Sequence, residues 1–100
     1  MKLVVTQTLK QFDGTPLKDM VNGEAVDATV RQAVVNALMA PVEGDDGVAK
    51  VRKYELAMRV YKEEEVDLTV EEAAIIKTAV GKSFAPIVVG QLFNLLDGKD

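Results

Sequence analysis

The tripeptide Gly81-Lys82-Ser83 comes nearer to an enzyme signature than any other part of the sequence, because the phosphate-binding loop of nucleotide hydrolases ends in Gly-Lys-Ser or Gly-Lys-Thr. That loop also needs a glycine five residues before its second one, and Ile76 stands there. It must follow a buried strand and open a helix, whereas these residues follow a segment with helical periodicity. We therefore predict a joint between two helices, in which Gly81 ends one helix, Lys82 lies at the negative end of its dipole and Ser83 caps the next.

The sequence lacks the residues that other kinds of catalytic or metal site require. The chain of 100 residues contains no Cys and no His, so the usual zinc ligands, the thiol nucleophile and the best proton-transfer side chain near neutral pH are missing. The acidic loop 43–47 has Val42 and Lys53 where an EF-hand would have its first and last ligands. Acids adjacent in sequence, as in residues 63–65, do not face a common substrate on a helix. We predict a non-enzymatic protein without cofactor or bound metal.

Composition and charge narrow the class of protein further. A content of 48% hydrophobic and 28% charged residues is that of a globular chain, so residues 1–100 are predicted to form one domain. The longest uncharged run, 83–96, is shorter than the roughly 18 to 20 residues that span a bilayer. The first residues also lack the apolar region of a signal peptide. These features predict a cytoplasmic location and no membrane contact.

Residues 1–26 are predicted to form the β part of the domain. The dipeptides Asp13-Gly14 and Asn22-Gly23 both suit type I′ hairpin turns. Three apolar residues fall on one face of an extended first strand, namely Leu3, Val5 and Leu9. Pro16 cannot donate to a strand ladder, so 15–21 is predicted as an irregular edge strand or a loop. A single hairpin or a small three-stranded meander follows from this pattern.

Residues 29–97 are predicted to form about four helices, which makes the domain a mostly helical α+β fold. The sequences that begin at Thr29 and at Thr69 are capping boxes, in which a Thr side chain and a Gln or Glu three residues later cap each other's backbone amides. Pro41 is expected to end the first helix near Ala40. The fourth helix is expected to accept Pro86 in its first turn and to end at Asp97-Gly98.

The second helix, predicted from about Val48 to Glu64, has a regular apolar stripe. Its members follow one another at steps of three and four residues: Val51, Tyr54, Met58 and Tyr61. Ala57 and Val60 widen the stripe on one side. This spacing is typical of the buried face of an amphipathic helix. We therefore expect the stripe to pack in the core.

The same helix is basic. Residues 50–62 carry a net charge of +4, whereas the rest of the chain carries −8. Arg52, Arg59 and Lys62 share the face opposite the stripe, which is the pattern of a nucleic-acid contact. A solvated face with an internal Glu55–Arg59 pair explains the same residues, and the overall charge of −4 disfavours nucleic acid as a partner.

The fourth helix is apolar on nearly every side. Such a helix is either central in the fold or shared with a protein partner, including a second copy of the chain. The residues predicted for a partner surface are Phe84, Val88, Leu92 and Leu95. Non-catalytic protein interaction or assembly, with self-association included, is the function that these features favour, and a nucleic-acid accessory factor is the alternative.

Nearly the whole chain resembles a group of small proteins encoded by tailed bacteriophages and prophages. The segments that carry the resemblance are Phe12-Asp13-Gly14, Asn36-Ala37-Leu38, Lys53-Tyr54-Glu55-Leu56-Ala57-Met58, Tyr61, Val66-Asp67-Leu68-Thr69, Ile76-Lys77, Val80-Gly81-Lys82 and Val88-Val89-Gly90-Gln91. Their motifs are structural, so the resemblance implies no functional residues. It implies a phage product in the bacterial cytoplasm.

Overall fold

Three short strands precede two helices, a fourth strand and two further helices in the computed structural model, which describes residues 1–98. The elements are β1 (Lys2–Val4), β2 (Lys18–Val21), β3 (Glu24–Asp27), α1 (Val30–Met39), α2 (Gly47–Lys62), β4 (Glu65–Asp67), α3 (Val70–Ser83) and α4 (Pro86–Leu96). The predicted class is confirmed, because a β region near the N-terminus precedes four helices. The position of β4, between α2 and α3, differs from the prediction.

The β2–β3 hairpin turns at Asn22-Gly23. These residues have φ angles of 52° and 81°, and both values are the positive ones that a type I′ turn requires. The Asp13-Gly14 turn is of another kind, because only Gly14 has a positive φ, of 87°. There the amide and hydroxyl of Thr15 donate to Asp13 Oδ1 at 3.0 and 2.6 Å. One of the two predicted type I′ turns is therefore confirmed and the other is wrong.

The first strand pairs far along the chain. β1 runs antiparallel to β4 with Leu3 opposite Val66, so the expected pairing within residues 1–26 is wrong for this strand. Leu3, Val5 and Leu9 are buried as predicted. The prediction missed β4 because a single buried residue, Val66, stands between exposed charged neighbours, which is too short a pattern to show a period of two.

Both predicted capping boxes are present. Thr29 caps α1 together with Gln32, and Thr69 caps α3 together with Glu72. The first helix ends at Ala40, directly before Pro41, as expected. The apolar residues on one face of α1 are buried: Val30, Ala33, Val34, Ala37 and Leu38. This helix packs against both α2 and α3, so its apolar face forms the centre of the core.

The joint between α3 and α4 lies later than predicted. Helix α3 continues through Gly81 to Ser83, whose hydroxyl donates to the carbonyl of Ala79 at 2.9 Å. The cap residue of α4 is Ala85, and its side chain makes no capping bond. The roles predicted for Gly81 and Ser83 are therefore wrong. Pro86 explains the shift, since a proline forces the residue before it into extended backbone, and Ala85 has φ −73° and ψ 162°.

Candidate protein-docking surface

The apolar stripe of α2 faces solvent. Val51, Tyr54 and Tyr61 are 56%, 52% and 66% exposed, so their predicted place in the core is wrong. We call Val51, Tyr54, Met58 and Tyr61 the outer stripe. Leu56 faces the core from α2, together with Ala57 and Val60, the two residues that were predicted to widen the stripe. The helix therefore has two apolar faces, and only the second of them is used within the fold.

Charged contacts fix the rotation of α2. Arg52 binds Glu71 of α3 at 3.0 Å, and Arg59 binds Glu72 of α3 at 2.5 Å. Arg59 also donates to the carbonyl oxygen of Asp67 at 2.5 Å. Because both arginines reach toward the first turn of α3, the apolar residues on the other side of α2 must point away from the protein. The ion pairs and the packing of Leu56 thus act together.

Glu72 links this arrangement to the start of α3. Its carboxylate accepts the backbone N–H of Thr69 at 2.9 Å and also contacts Arg59. The amide of Thr69 is the main reason that the pKa of Glu72 lies below its usual value, and the positive charge of Arg59 lowers this pKa further. One side chain therefore completes a helix cap and holds the neighbouring helix.

The residues predicted for nucleic-acid contact do not form a free basic face. Arg52 and Arg59 already bind carboxylates of α3, so a phosphate would have to displace Glu71 or Glu72. The expected pairing of Arg59 with Glu55 is wrong, since Glu72 takes that place. Lys62 is exposed and forms no ion pair with any residue in 1–98.

Helix α4 offers less surface than predicted. Leu92 is fully buried and is therefore wrong as a member of a partner surface, whereas Phe84, Val88 and Leu95 are half-buried against the core. The side chain of Gln91 binds both backbone groups of Lys10: it accepts the N–H at 2.8 Å and donates to the carbonyl at 2.7 Å. This helix is packed along one side by α3 and tied on another to the N-terminal segment.

The acidic loop and the Gly-Lys-Ser segment have structural roles. Asp45 pairs with Lys53 at 2.5 Å, and Asp46 caps α2 by accepting the N–H of Ala49 at 2.9 Å. Within residues 1–98, no three acidic residues are grouped as metal ligands would be. Gly81, Lys82 and Ser83 form the last turn of α3. A phosphate-binding loop would instead connect a strand to a helix.

The β2–β3 hairpin and the turn before it expose apolar residues that the sequence analysis did not single out. Phe12 is 98% exposed, Met20 65% and Val21 42%. The side chains of the hairpin strands are exposed, apart from the half-buried Val26. Alternation of polar and apolar residues could have marked a half-exposed hairpin, but the short strands of four residues gave too few repeats.

Comparison of the chain with protein-family models, with curated proteins and with solved structures gives no match. No helix within residues 1–98 has the length and apolar character needed to cross a membrane. Since no relative supplies a function, the exposed surfaces of the domain have to indicate one. Among the exposed surfaces of residues 1–98, the outer stripe of α2 combines several apolar side chains on a single helix.

Proposed function

We propose that this chain is a non-catalytic assembly protein that binds polypeptide through the outer stripe of α2, including further copies of itself. The observation that carries this proposal is the exposure of Val51, Tyr54 and Tyr61 on one side of a helix. Their spacing is that of a helix face which packs on a partner. An apolar patch on the order of several hundred Å² on a small protein is often a binding site.

The chemistry of the stripe supports protein as its partner. Tyrosine is enriched among the residues that contribute most to binding, because a rigid ring buries much area at little cost in side-chain entropy. Tyr54 and Tyr61 lie two helical turns apart, and Met58 lies between them and can adapt its shape to a partner. The surrounding charges, including Lys50 and Lys62, would form a polar rim.

The origin and location of the protein are part of the same proposal. The resemblance to small proteins of tailed phages and prophages supports a phage-encoded assembly protein that acts in the bacterial cytoplasm. The neighbouring genes would test this: morphogenesis genes beside the coding sequence support it, and a location among unrelated chromosomal genes contradicts it.

Sedimentation velocity over a range of protein concentrations tests the binding proposal. We expect the wild-type protein to associate as its concentration rises, and the double variant Tyr54→Ser/Tyr61→Ser to stay monomeric. Val70→Ser is the matched control, because Val70 is 87% exposed but lies on α3, off the stripe. A wild-type protein that is monomeric throughout, or a double variant that associates like the wild type, would refute the proposal.

Nucleic-acid binding is the second candidate, and one observation favours it. Exposed tyrosines beside Lys50 and Lys62 can stack on unpaired bases. The pairing of Arg52 and Arg59 with carboxylates weighs against it. Titration with single-stranded and duplex DNA at low and moderate salt decides the matter, because phosphate contacts predict an affinity that falls steeply with salt. Absence of binding at low salt removes this candidate.

A further inference from the structure

The β2–β3 hairpin is a second surface that its own domain leaves uncovered. Its two strands form a sheet of their own, and they pack mainly on each other. The chain holds the hairpin at its base, where the amide of Ala28 donates to the carbonyl of Leu17 at 2.8 Å. A two-stranded hairpin is only marginally stable in water unless one face is covered. Met20 and Val21 are therefore apolar groups on an arm that would gain stability from a partner.

The hairpin and α2 carry opposite charge. Residues 13–27 contain four acidic residues and one basic residue, and Lys18 is already paired with Asp27 across the strands. Asp19 and Glu24 form no ion pair with any described residue. Residues 47–62 contain five basic residues and one acidic residue, Glu55. Three of the five basic residues bind carboxylates outside α2, which leaves Lys50 and Lys62 as the positive charges beside the outer stripe. The two surfaces that expose apolar side chains are thus complementary in charge.

We propose that the hairpin of one copy of this chain docks on the outer stripe of α2 of the next copy. The inference rests on the proposed function, since it names the occupant of the same stripe. Charge favours the hairpin over a second α2 helix, because two α2 helices would bring net positive surfaces together. It also favours a copy of this chain over an unrelated protein, because the chain itself carries the acidic apolar surface.

The dimensions of the two surfaces agree. Lys50 and Lys62 flank the stripe and lie about 18 Å apart along the helix axis, at a rise of 1.5 Å per residue. The strands of the hairpin have four residues each, which corresponds to a length of about 13 Å. A hairpin laid along α2 therefore fits between the two lysines, with Asp19 and Glu24 within reach of opposite charge. Val21 lies on the same face of the hairpin as Asp19 and Glu24, because it pairs with Glu24 and is two residues from Asp19, so it would contact the tyrosine rings in this arrangement.

The contact joins two different surfaces, so a pair of copies retains one free hairpin and one free stripe after the first contact. Such a head-to-tail arrangement either closes into a ring or continues as a filament. A symmetric dimer through α2 would instead use the same surface twice and would stop at two copies. This difference makes the proposal testable by exchange of charges.

Two charge-reversal variants form the test. The hairpin variant is Asp19→Lys/Glu24→Lys, and the helix variant is Lys50→Glu/Lys62→Glu; all four residues are exposed. Each variant alone places like charges at the contact, so we expect each to associate about tenfold or more weakly than the wild type in sedimentation velocity at low salt. An equimolar mixture restores opposite charges at every contact. We expect the mixture to associate like the wild type.

The control variant Glu43→Lys/Lys82→Glu reverses two exposed charges that lie off both surfaces, and it should associate like the wild type. Circular dichroism melts of all variants establish that each is folded. If the hairpin variant alone associates like the wild type while Tyr54→Ser/Tyr61→Ser does not, the docking of the hairpin on the stripe is refuted and the proposed function stands. If the mixture stays monomeric, the inference is likewise refuted. If no substitution changes association, or the wild type is monomeric, both proposals fail.

Discussion

Helices α2 and α4 differ in how they use apolar residues. Helix α4 is the more apolar of the two, yet its apolar side chains from Ile87 to Leu96 are buried or half-buried. Helix α2 carries many charges, yet Val51, Tyr54 and Tyr61 are more than half exposed. The content of apolar residues in a helix therefore does not indicate whether it offers a binding surface. The faces that neighbouring elements cover decide this.

The difference arises from the contacts on each helix. Buried Leu92 faces the core from α4, and Gln91 holds the N-terminal segment against another side. On α2, the core covers only one face, and the arginines bind the first turn of α3 on its flank. The face that carries Val51, Tyr54 and Tyr61 is left exposed by the rest of residues 1–98. Five predictions test this comparison.

The largest effect on the free energy of unfolding is expected for the buried leucines of α2 and α4. Leu92→Ala in α4 and Leu56→Ala in α2 each remove a side chain that is at most 3% exposed, so each should lower the free energy of unfolding by about 2–5 kcal/mol. Chemical denaturation measures this. Half-buried Leu95→Ala is the control and should cost less. A loss under about 1 kcal/mol for Leu92→Ala would contradict the burial of α4.

A smaller effect is expected where Glu72 joins α2 to α3. Glu72→Ala removes one half of the capping box and the partner of Arg59, and it should lower the free energy of unfolding by about 1 kcal/mol. The same measurement should give a similar loss for Thr69→Ala. No loss in either variant would show that the cap does not stabilise α3.

The contribution of Glu72 should also depend on pH. Its pKa in the folded protein lies below the usual value of 4.5, so the unfolded chain binds this proton more readily. The stabilisation is therefore complete above about pH 4.5 and is lost as the pH falls through the folded pKa. Glu72→Gln keeps a capping oxygen but cannot titrate, so its free energy of unfolding should depend less on pH in this range.

Gly81→Ala should raise the free energy of unfolding by about 0.5–1 kcal/mol, because alanine is favoured over glycine inside a helix. A Cβ at Gly81 would meet no other part of the described protein within 4 Å, apart from the neighbouring backbone of its own helix. If Gly81 instead ended α3 in a left-handed conformation, as the predicted joint implies, the same change would lower the free energy of unfolding. Thermal melts of the variant distinguish an α3 that ends at Gly81 from an α3 that continues to Ser83. They thereby test whether α4 begins only at Pro86.

The smallest effect on stability is expected on the outer stripe. Tyr54→Ser replaces a half-exposed side chain and should change the free energy of unfolding by no more than about 0.5 kcal/mol in dilute protein. The helix should therefore lose association without losing stability. A loss of several kcal/mol in the free energy of unfolding would mean that Tyr54 packs inside the domain. The contrast between an exposed stripe on α2 and a buried α4 would then be wrong.

Local signals in the sequence predicted much of the fold. The capping boxes at Thr29 and Thr69 and the turn at Asn22-Gly23 involve residues that are neighbours in the chain, so their geometry follows from a few residues. The partner of β1 and the rotation of α2 depend on contacts between distant segments. For α2 the pattern offered two apolar faces, and only the position of α1 and of Glu72 decides between them.

The proposed binding surface was harder to predict than the fold. The sequence analysis placed it on α4, because a helix that is apolar on all sides was expected to exceed what a small domain could cover. It identified the stripe of α2 by residue but assigned it to the core. The acidic hairpin was missed, although Asp19 and Glu24 can be read in the sequence, because charge was compared between long segments only.

The pairing of β1 with β4 has a consequence for the newly made protein. Leu3 pairs with Val66, and ribosomes add about 5–20 residues per second, so roughly 3 to 13 seconds separate the synthesis of the two strands. The β2–β3 hairpin can close within microseconds of its synthesis. During that interval the nascent chain carries a hairpin that opens and closes, because an uncovered hairpin is only marginally stable, and a first strand that has no partner. Its earliest encounters with neighbouring chains on the same message would therefore involve the hairpin.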